Sequence, residues 1–193
     1  MKKIAITLLA VLTTIVSYAQ NESSSHLSFK GVPIDGKLSE YILKMKQNGF
    51  TQMEAEVGVV MFKGDFASYK NCKVVVSTLK DKDLVSKITV IFPEQERWSS
   101  LSSNYFNLKE MLTEKYGQPT ESVEKFSSFE PKDDGGKMAF VRIDNCKYIT
   151  TYKTDKGSIQ LSIKNDDSKA FVTLAYFDKV NGDIIRAKAK DDL

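Results

Sequence analysis

Val85-Ser86-Lys87-Ile88-Thr89-Val90-Ile91-Phe92-Pro93, followed by Leu101, Tyr105, Leu108, Leu112 and Tyr116, decides the fold. In an extended chain Ile88, Val90 and Phe92 fall on one side and Lys87, Thr89 and Ile91 on the other, the alternation of a half-buried strand. Pro93 ends the run because it has no N–H to donate to a ladder. The five apolar residues then recur at spacings of four, three, four and four, which predicts a helix with one apolar stripe. Glu94 and Glu96 lie at or before its first turn, where carboxylates favour the positive end of the helix dipole. Gly117 ends the helix and Pro119 forbids its resumption.

Toward the N-terminus, residues 27–32 alternate and predict a short strand. Pro33-Ile34-Asp35-Gly36 reads as a turn, with Asp35 a candidate N-cap. Leu38, Ile42 and Met45 follow at helical spacing. Gly49 is placed to be the left-handed residue that stops this helix, with Phe50 covering Met45. Strands are expected over 57–62, 72–79 and 85–92, with Gly64-Asp65 as a breaker. The short polar link Lys80-Asp81-Lys82-Asp83 makes the last two a hairpin. Toward the C-terminus, 120–136 is polar, ends in Asp133-Asp134-Gly135-Gly136, and reads as a mobile connection. Strands are expected again over 139–143, 147–153, 158–164 and 170–177, and a charged, frayed tail from 181.

Helix, three strands, helix, four strands is a duplication in outline. Asn71-Cys72-Lys73 recurs as Asn145-Cys146-Lys147, and Asp81-Lys82 meets Asp155-Lys156 at the same offset. The alternative is two similar hairpins in one unrepeated sheet. The expected fold class is therefore α+β: two tandem helix-on-antiparallel-sheet repeats forming a two-layer α/β protein. The divisions are a signal peptide over 1–19, a flexible leader over 20–26, repeat 1 over 27–93, repeat 2 over 94–180 and a charged tail over 181–193.

One helix on a small antiparallel sheet, occurring twice, resembles the tandem β-lactamase-inhibitor-protein-like fold and the related unit of the SmpA/OmlA type of outer-membrane assembly lipoproteins. Phe92-Pro93-Glu94-Gln95, Lys115-Tyr116-Gly117-Gln118-Pro119 and Thr173-Leu174-Ala175-Tyr176-Phe177-Asp178 also resemble a group of exported bacterial proteins of unassigned function. The resemblance implies a fold and, by analogy, a binding role. The chain departs from the inhibitor pattern in having one cysteine per half rather than a disulfide within each, and no inhibitory loop residue can be matched. Inhibition of a β-lactamase is not carried over.

Composition and the N-terminus bound the setting. Met1-Lys2-Lys3, the apolar run 4–16 and Ser17-Tyr18-Ala19 before Gln20 read as a secretory signal peptide, too short for a membrane span. No cysteine follows the cleavage site, so the expectation is an exported product, periplasmic or extracellular, soluble and without a lipid anchor or membrane insertion. Removal of Lys2 and Lys3 takes the formal net charge of +3 close to balance. With no long Lys/Arg run, nucleic acid is not an expected partner. Hydrophobic content of 41% and charged content of 27% are ordinary for a globular protein of 193 residues.

Catalytic chemistry is hard to find. The lone histidine, His26, reads as a solvated leader residue, which removes Ser–His and Cys–His systems unless it folds back. Two cysteines and one remote histidine leave no zinc site. Asp178, Asn181, Gly182 and Asp183 resemble a calcium-loop fragment at the wrong spacing and read as a turn. Glu94/Glu96 could be an acid/base pair but are explained by the helix start. Asp133-Asp134 and Asp166-Asp167 read as solvated turns. No cofactor or metal is expected.

Tyr148, Tyr152 and Tyr176 form either an aromatic binding face or core beneath the helix; Tyr148 and Tyr152, four apart on one strand, point to the same side. Export and an even count favour a Cys72–Cys146 disulfide. Against it, equivalent positions in two halves meet only if the axis relating them passes nearby. Two unpaired, strand-borne, mostly buried thiols are expected. The leading functional expectation is a non-catalytic binding module contacting a protein or peptide through an open sheet face. The alternatives are a small-ligand or lipid carrier, with a closed apolar cavity, and a carboxylate-dependent hydrolase, with paired carboxylates in a deep pocket.

Overall fold

The computed structural model describes residues 24–79 and 82–191. The expected signal peptide, most of the leader, Lys80, Asp81 and the last two residues lie outside them. The first element is a hairpin rather than a single strand. β1 (Ser28–Phe29) and β2 (Val32–Pro33) pair antiparallel. They turn at Lys30 (φ 47°) and Gly31 (φ 79°), the two positive φ values that match strand twist in a tight hairpin.

α1 (Leu38–Gln47) buries Tyr41 and Met45. Gly49 takes φ 85°, its N–H donates to Lys46 O, and the Phe50 N–H donates to Met45 O at 3.1 Å. That is the expected glycine stop, with both reversed hydrogen bonds present. Asp35 is not the cap. The N-cap is Lys37, without a side-chain bond, and the Leu38 N–H donates to Asp83 Oδ1. Gly36 at φ 83° turns the chain between Asp35 and the helix.

The first half then has four strands, not three: β3 (Thr51–Glu56), β4 (Val59–Phe66), β5 (Tyr69–Thr78) and β6 (Val85–Ile91). Gly64 and Asp65 bend β4 without ending it, because the ladder resumes past a register shift between Gly64 and Phe66. Glycine is required at 64: a Cβ there would collide with the ring of Phe50.

α2 (Trp98–Tyr116) buries the expected stripe Leu101, Tyr105, Leu108 and Leu112, with Trp98 added. Its first turn holds no acidic residue. Glu94 lies outside it and pairs with Lys169 at 3.7 Å. The Asp134 carboxylate instead accepts from the N–H groups of Trp98 (3.2 Å) and Ser99 (2.6 Å). The supposed connection 120–136 contains β7 (Glu121–Phe126), and the supposed strand 139–143 lies largely in α3 (Asp134–Arg142). Asp133 caps α3 by accepting from the Gly136 N–H at 2.8 Å, so neither Asp133 nor Asp134 is an idle turn residue. β8 (Cys146–Thr154), β9 (Gly157–Asp166) and β10 (Lys169–Asp178) follow as expected. α4 (Lys179–Asp191) replaces the frayed tail.

All strands but the first two join one antiparallel sheet, ordered β3-β4-β5-β6-β10-β9-β8-β7. α1 precedes four strands of the sheet, β3 to β6, and α2 precedes the other four, β7 to β10, with α3 between β7 and β8 and α4 after β10; β6 and β10, the last of each four, meet at the centre. The local match that suggested a duplication is not an equivalence. Cys72 lies on β5, the third strand after α1; Cys146 opens β8, the second strand after α2. Unrecognised β3 and β7 and the inserted α3 shift the correspondence.

The sheet has two unlike faces. Phe62, Val74, Val90, Leu174 and Leu161 form one cross-strand row, and Val60, Val76, Ile88, Tyr176, Ile159 and Tyr152 another. Both rows are buried in one continuous core with side chains of α1, α2, α3 and the β1–β2 hairpin. Among the described residues the opposite face carries no such layer. Among the described residues no helix is long and apolar enough to cross a membrane.

Candidate functional site

The three tyrosines singled out from sequence lie on the helix-covered face. Tyr148 is 7% exposed, Tyr152 1% and Tyr176 5%. The Tyr148 ring meets Trp98 and Tyr105 edge-on, with centroids 5.1 and 5.7 Å away. The Tyr152 hydroxyl donates to Lys109 O at 3.0 Å and lies 2.9 Å from Thr113 Oγ1, fixing β8 to α2. Tyr176 packs edge-on against Phe29. Of the two readings left open, core packing is what their positions realise. A ligand would have to displace α2 or the N-terminal hairpin to reach them.

The accessible surface is the other face. Strand register builds it row by row, because paired residues point to the same side. One row runs Lys63, Lys73, Ile91, Thr173, Ser162, Ile149 and Val123. The next runs Met61, Val75, Thr89, Ala175, Gln160 and Thr151. A third includes Lys87, Phe177, Ser158 and Lys153. Lys164 opposes Phe171, and Lys147 opposes Lys125. The central residues are small and buried between their longer neighbours: Ser162, Thr173 and Ala175 are 2%, 9% and 8% exposed, and the Ser162 and Thr173 hydroxyls lie 2.9 Å apart and satisfy each other. Met61, Val75, Ile91, Ile149 and Phe171 are each partly open to solvent, as apolar side chains of an uncovered sheet must be.

Charge is asymmetric on this face. Lys63, Lys73, Lys125, Lys147, Lys153 and Lys164 are exposed, and none takes part in the ion pairs among the described residues. The Lys87 ammonium sits over the Phe177 ring, 5.0 Å from its centroid. Carboxylates stand at the margins: Glu56 on edge strand β3, Glu121 on edge strand β7 and Asp166 at the tip of β9. At the end near that tip lies a cleft of about 410 Å³, with Met61, Ile91 and Phe171 among its apolar walls and Lys73, Lys169, Glu94 and Asp166 among its charged ones. Sequence reading missed this surface because it sought basic runs. The available signal was lysine at alternate strand positions.

Two further polar clusters are structural in geometry. His26 does fold back. Its Nδ1 lies 3.0 Å from Asp178 Oδ2 and its Nε2 3.4 Å from Asp35 Oδ2. Asp178 also accepts from the Leu27 N–H at 2.8 Å and the Asn181 N–H at 2.9 Å. Buried Asn181 donates to Val85 O at 2.9 Å and Ile34 O at 3.2 Å. Of the residues that looked like a calcium-loop fragment, Asp178 therefore caps α4, and Asp178 and Asn181 clasp the N-terminal segment. Elsewhere, Lys109, Ser122, Thr150 and Tyr105 converge on Glu124 Oε1. Burial alone would raise the Glu124 pKa, but the Lys109 ammonium and these hydroxyls outweigh it and hold it below the usual carboxylate range.

Both cysteines are free. They sit on β5 and β8, with β6, β10 and β9 between, about 19 Å of sheet at the usual strand spacing and beyond the reach of a disulfide. Burial pushes each thiol pKa up to about 11, the opposite of an activated nucleophile. Among the described residues no three of His, Cys, Asp and Glu converge as a metal site requires. No protein-family model, curated protein or solved structure matches the chain.

Proposed function

We propose that this chain is a non-catalytic binding module that docks a protein or peptide on the sheet face opposite α1, α2 and α3. The observation that carries the proposal is that face itself: partly exposed apolar side chains on an eight-stranded surface, with neither a covering layer nor ion partners for its lysines among the described residues. Its size fits. Eight strands span about 34 Å, and strands of seven or so residues add about 23 Å, giving roughly 800 Å², one partner's share of a standard interface. The mirrored order of the two sets of four strands, each preceded by a helix, α1 or α2, supports, as part of the same proposal, a tandem β-lactamase-inhibitor-protein-like architecture. The leader-like residues 1–19 support export as a soluble protein without a lipid anchor.

The test is site-specific photo-crosslinking in the source cells. A benzophenone side chain is placed at Thr89 or Gln160, in the middle of the face, or at Phe106 or Met111, exposed on α2. The expected result is a discrete protein adduct from the face positions alone. The adducted protein, purified, then binds the full chain, and Thr89→Arg, at a partly exposed position of the face, abolishes that binding with little change in the urea midpoint. Equal adducts from both sides, or binding that survives Thr89→Arg, would reject the face as the docking surface.

A further inference from the structure

We infer that the occupant of this face is an acidic, amphipathic polypeptide segment, whose carboxylates meet the lysine positions and whose apolar side chains lie between them, one entering the cleft walled by Met61, Ile91 and Phe171. The inference rests on the reading of the face as a docking surface and adds the partner's chemistry.

Charge complementarity is the first argument. Lys63, Lys73, Lys125, Lys147, Lys153 and Lys164 are exposed and without ion partners among the described residues, while Glu56 and Glu121 stand on the edge strands and Glu94, Asp166 and Asp167 at the cleft. Lys63 and Lys73 oppose each other directly on neighbouring strands, as do Lys125 and Lys147. Like charges so placed repel, and an incoming carboxylate between them relieves the repulsion.

The second argument is the interleaving of cationic with apolar positions. Ile91 follows Lys73 across the row, and Phe171 opposes Lys164. A polyanion made only of charge, such as a sulfated polysaccharide, has nothing to place on Met61, Val75, Ile91 and Phe171. An acidic polypeptide with alternating apolar residues fills both sets at the two-residue period of the strands below.

The experiment uses the full chain and fluorescence anisotropy with labelled probes. The main probe is a peptide of alternating Glu and Leu, compared with an equally charged peptide of alternating Glu and Ser. Oligothymidylate and phosphatidylglycerol vesicles are the other arms. The Glu–Leu peptide should bind, and Lys63→Glu/Lys73→Glu/Lys164→Glu should weaken it by about tenfold or more, whereas Lys44→Glu/Lys46→Glu on α1 should leave it unchanged. The milder Lys63→Gln/Lys73→Gln/Lys164→Gln set gives the same ordering should the reversal set fold poorly. Phe171→Ser should weaken the Glu–Leu peptide and not the Glu–Ser peptide.

The inference is overturned if the Glu–Leu peptide does not bind or is indifferent to the face substitutions. It is overturned equally if the Glu–Ser peptide binds as tightly, or if oligothymidylate or vesicles bind more tightly through the same lysines. A protein adduct from Thr89 or Gln160 combined with any of these failures would leave the docking surface standing and refute only the acidic partner.

Discussion

Replacing Asp178 with Ala tests how the N-terminal segment is held. The Asp178 side chain is fully enclosed, and its carboxylate accepts from the Leu27 N–H, the Asn181 N–H and His26. The Asn181 bond caps α4, and loss of such a cap costs about 1 kcal/mol. The Leu27 N–H would be stranded inside the protein, at about 1–3 kcal/mol. His26 is partly exposed and recovers water, so its share is small. The expected loss is about 2–4 kcal/mol, which at a urea slope of about 2 kcal/mol/M moves the midpoint down by about 1–2 M. Equilibrium urea unfolding, followed by tryptophan fluorescence and circular dichroism together, measures it. His26→Ala should move the midpoint by less than half as much. A shift for Asp178→Ala below about 0.3 M would refute the reasoning, since water must then replace all three acceptor contacts at no cost.

Tyr41 is fully buried with a hydroxyl that has no hydrogen-bond partner, so Tyr41→Phe should be neutral or stabilising by up to about 2 kcal/mol, and a clear loss in urea would show a missed partner. Gly64→Ala should cost about 1–3 kcal/mol through its collision with Phe50, and Phe50→Leu should cost less in that background than alone; simple additivity would disprove the contact. At pH 8 iodoacetamide should alkylate Cys72 and Cys146 about a hundredfold more slowly than an unfolded control, because folded thiols near 11 hold about a hundredth of the thiolate. The same raised values place the stability below the unfolded thiol pKa; it is lost as pH rises past about 8.5, where the unfolded chain releases these protons first. Burial likewise holds the phenols of Tyr41, Tyr105 and Tyr176 above their usual range, so alkaline titration in fixed urea should show unfolding that steepens near pH 10. A flat profile would contradict their burial.

What sequence made legible follows from which residues touch the core. The stripe of α2 and the alternation of β6 and β9 were readable because burial imposes a period on them. β3, with Thr51, Met53, Glu54 and Glu56 exposed, carries no period because an edge strand packs little. β7 is masked in the same way by Ser122 and Lys125. α3 buries only Met138 and Val141, one helical step apart, and Gly135-Gly136 hides its start although Asp133 caps it. The tyrosines were recognised as a cluster but not assigned to a side, because α2 covers their face from elsewhere in the chain. The lysine surface has only a faint local signature: Lys147 and Lys153 share one strand, but its other members lie ten or more residues apart and are brought together by strand register.

The central seam has a consequence for how the molecule is made. β6 and β10 pair through Ile91 with Thr173 and Ile88 with Tyr176, partners separated by about 80 residues. β10 is the last strand to leave the ribosome. Until it emerges, β6 offers a hydrophobic, unpaired border to any neighbouring nascent chain, and the N-terminal hairpin lacks the carboxylate of Asp178 that fastens it. Completion of the protein is thus a single late zippering event, with chain collapse of each half preceding it. Premature termination before Lys169 would release a sticky intermediate rather than a smaller working domain.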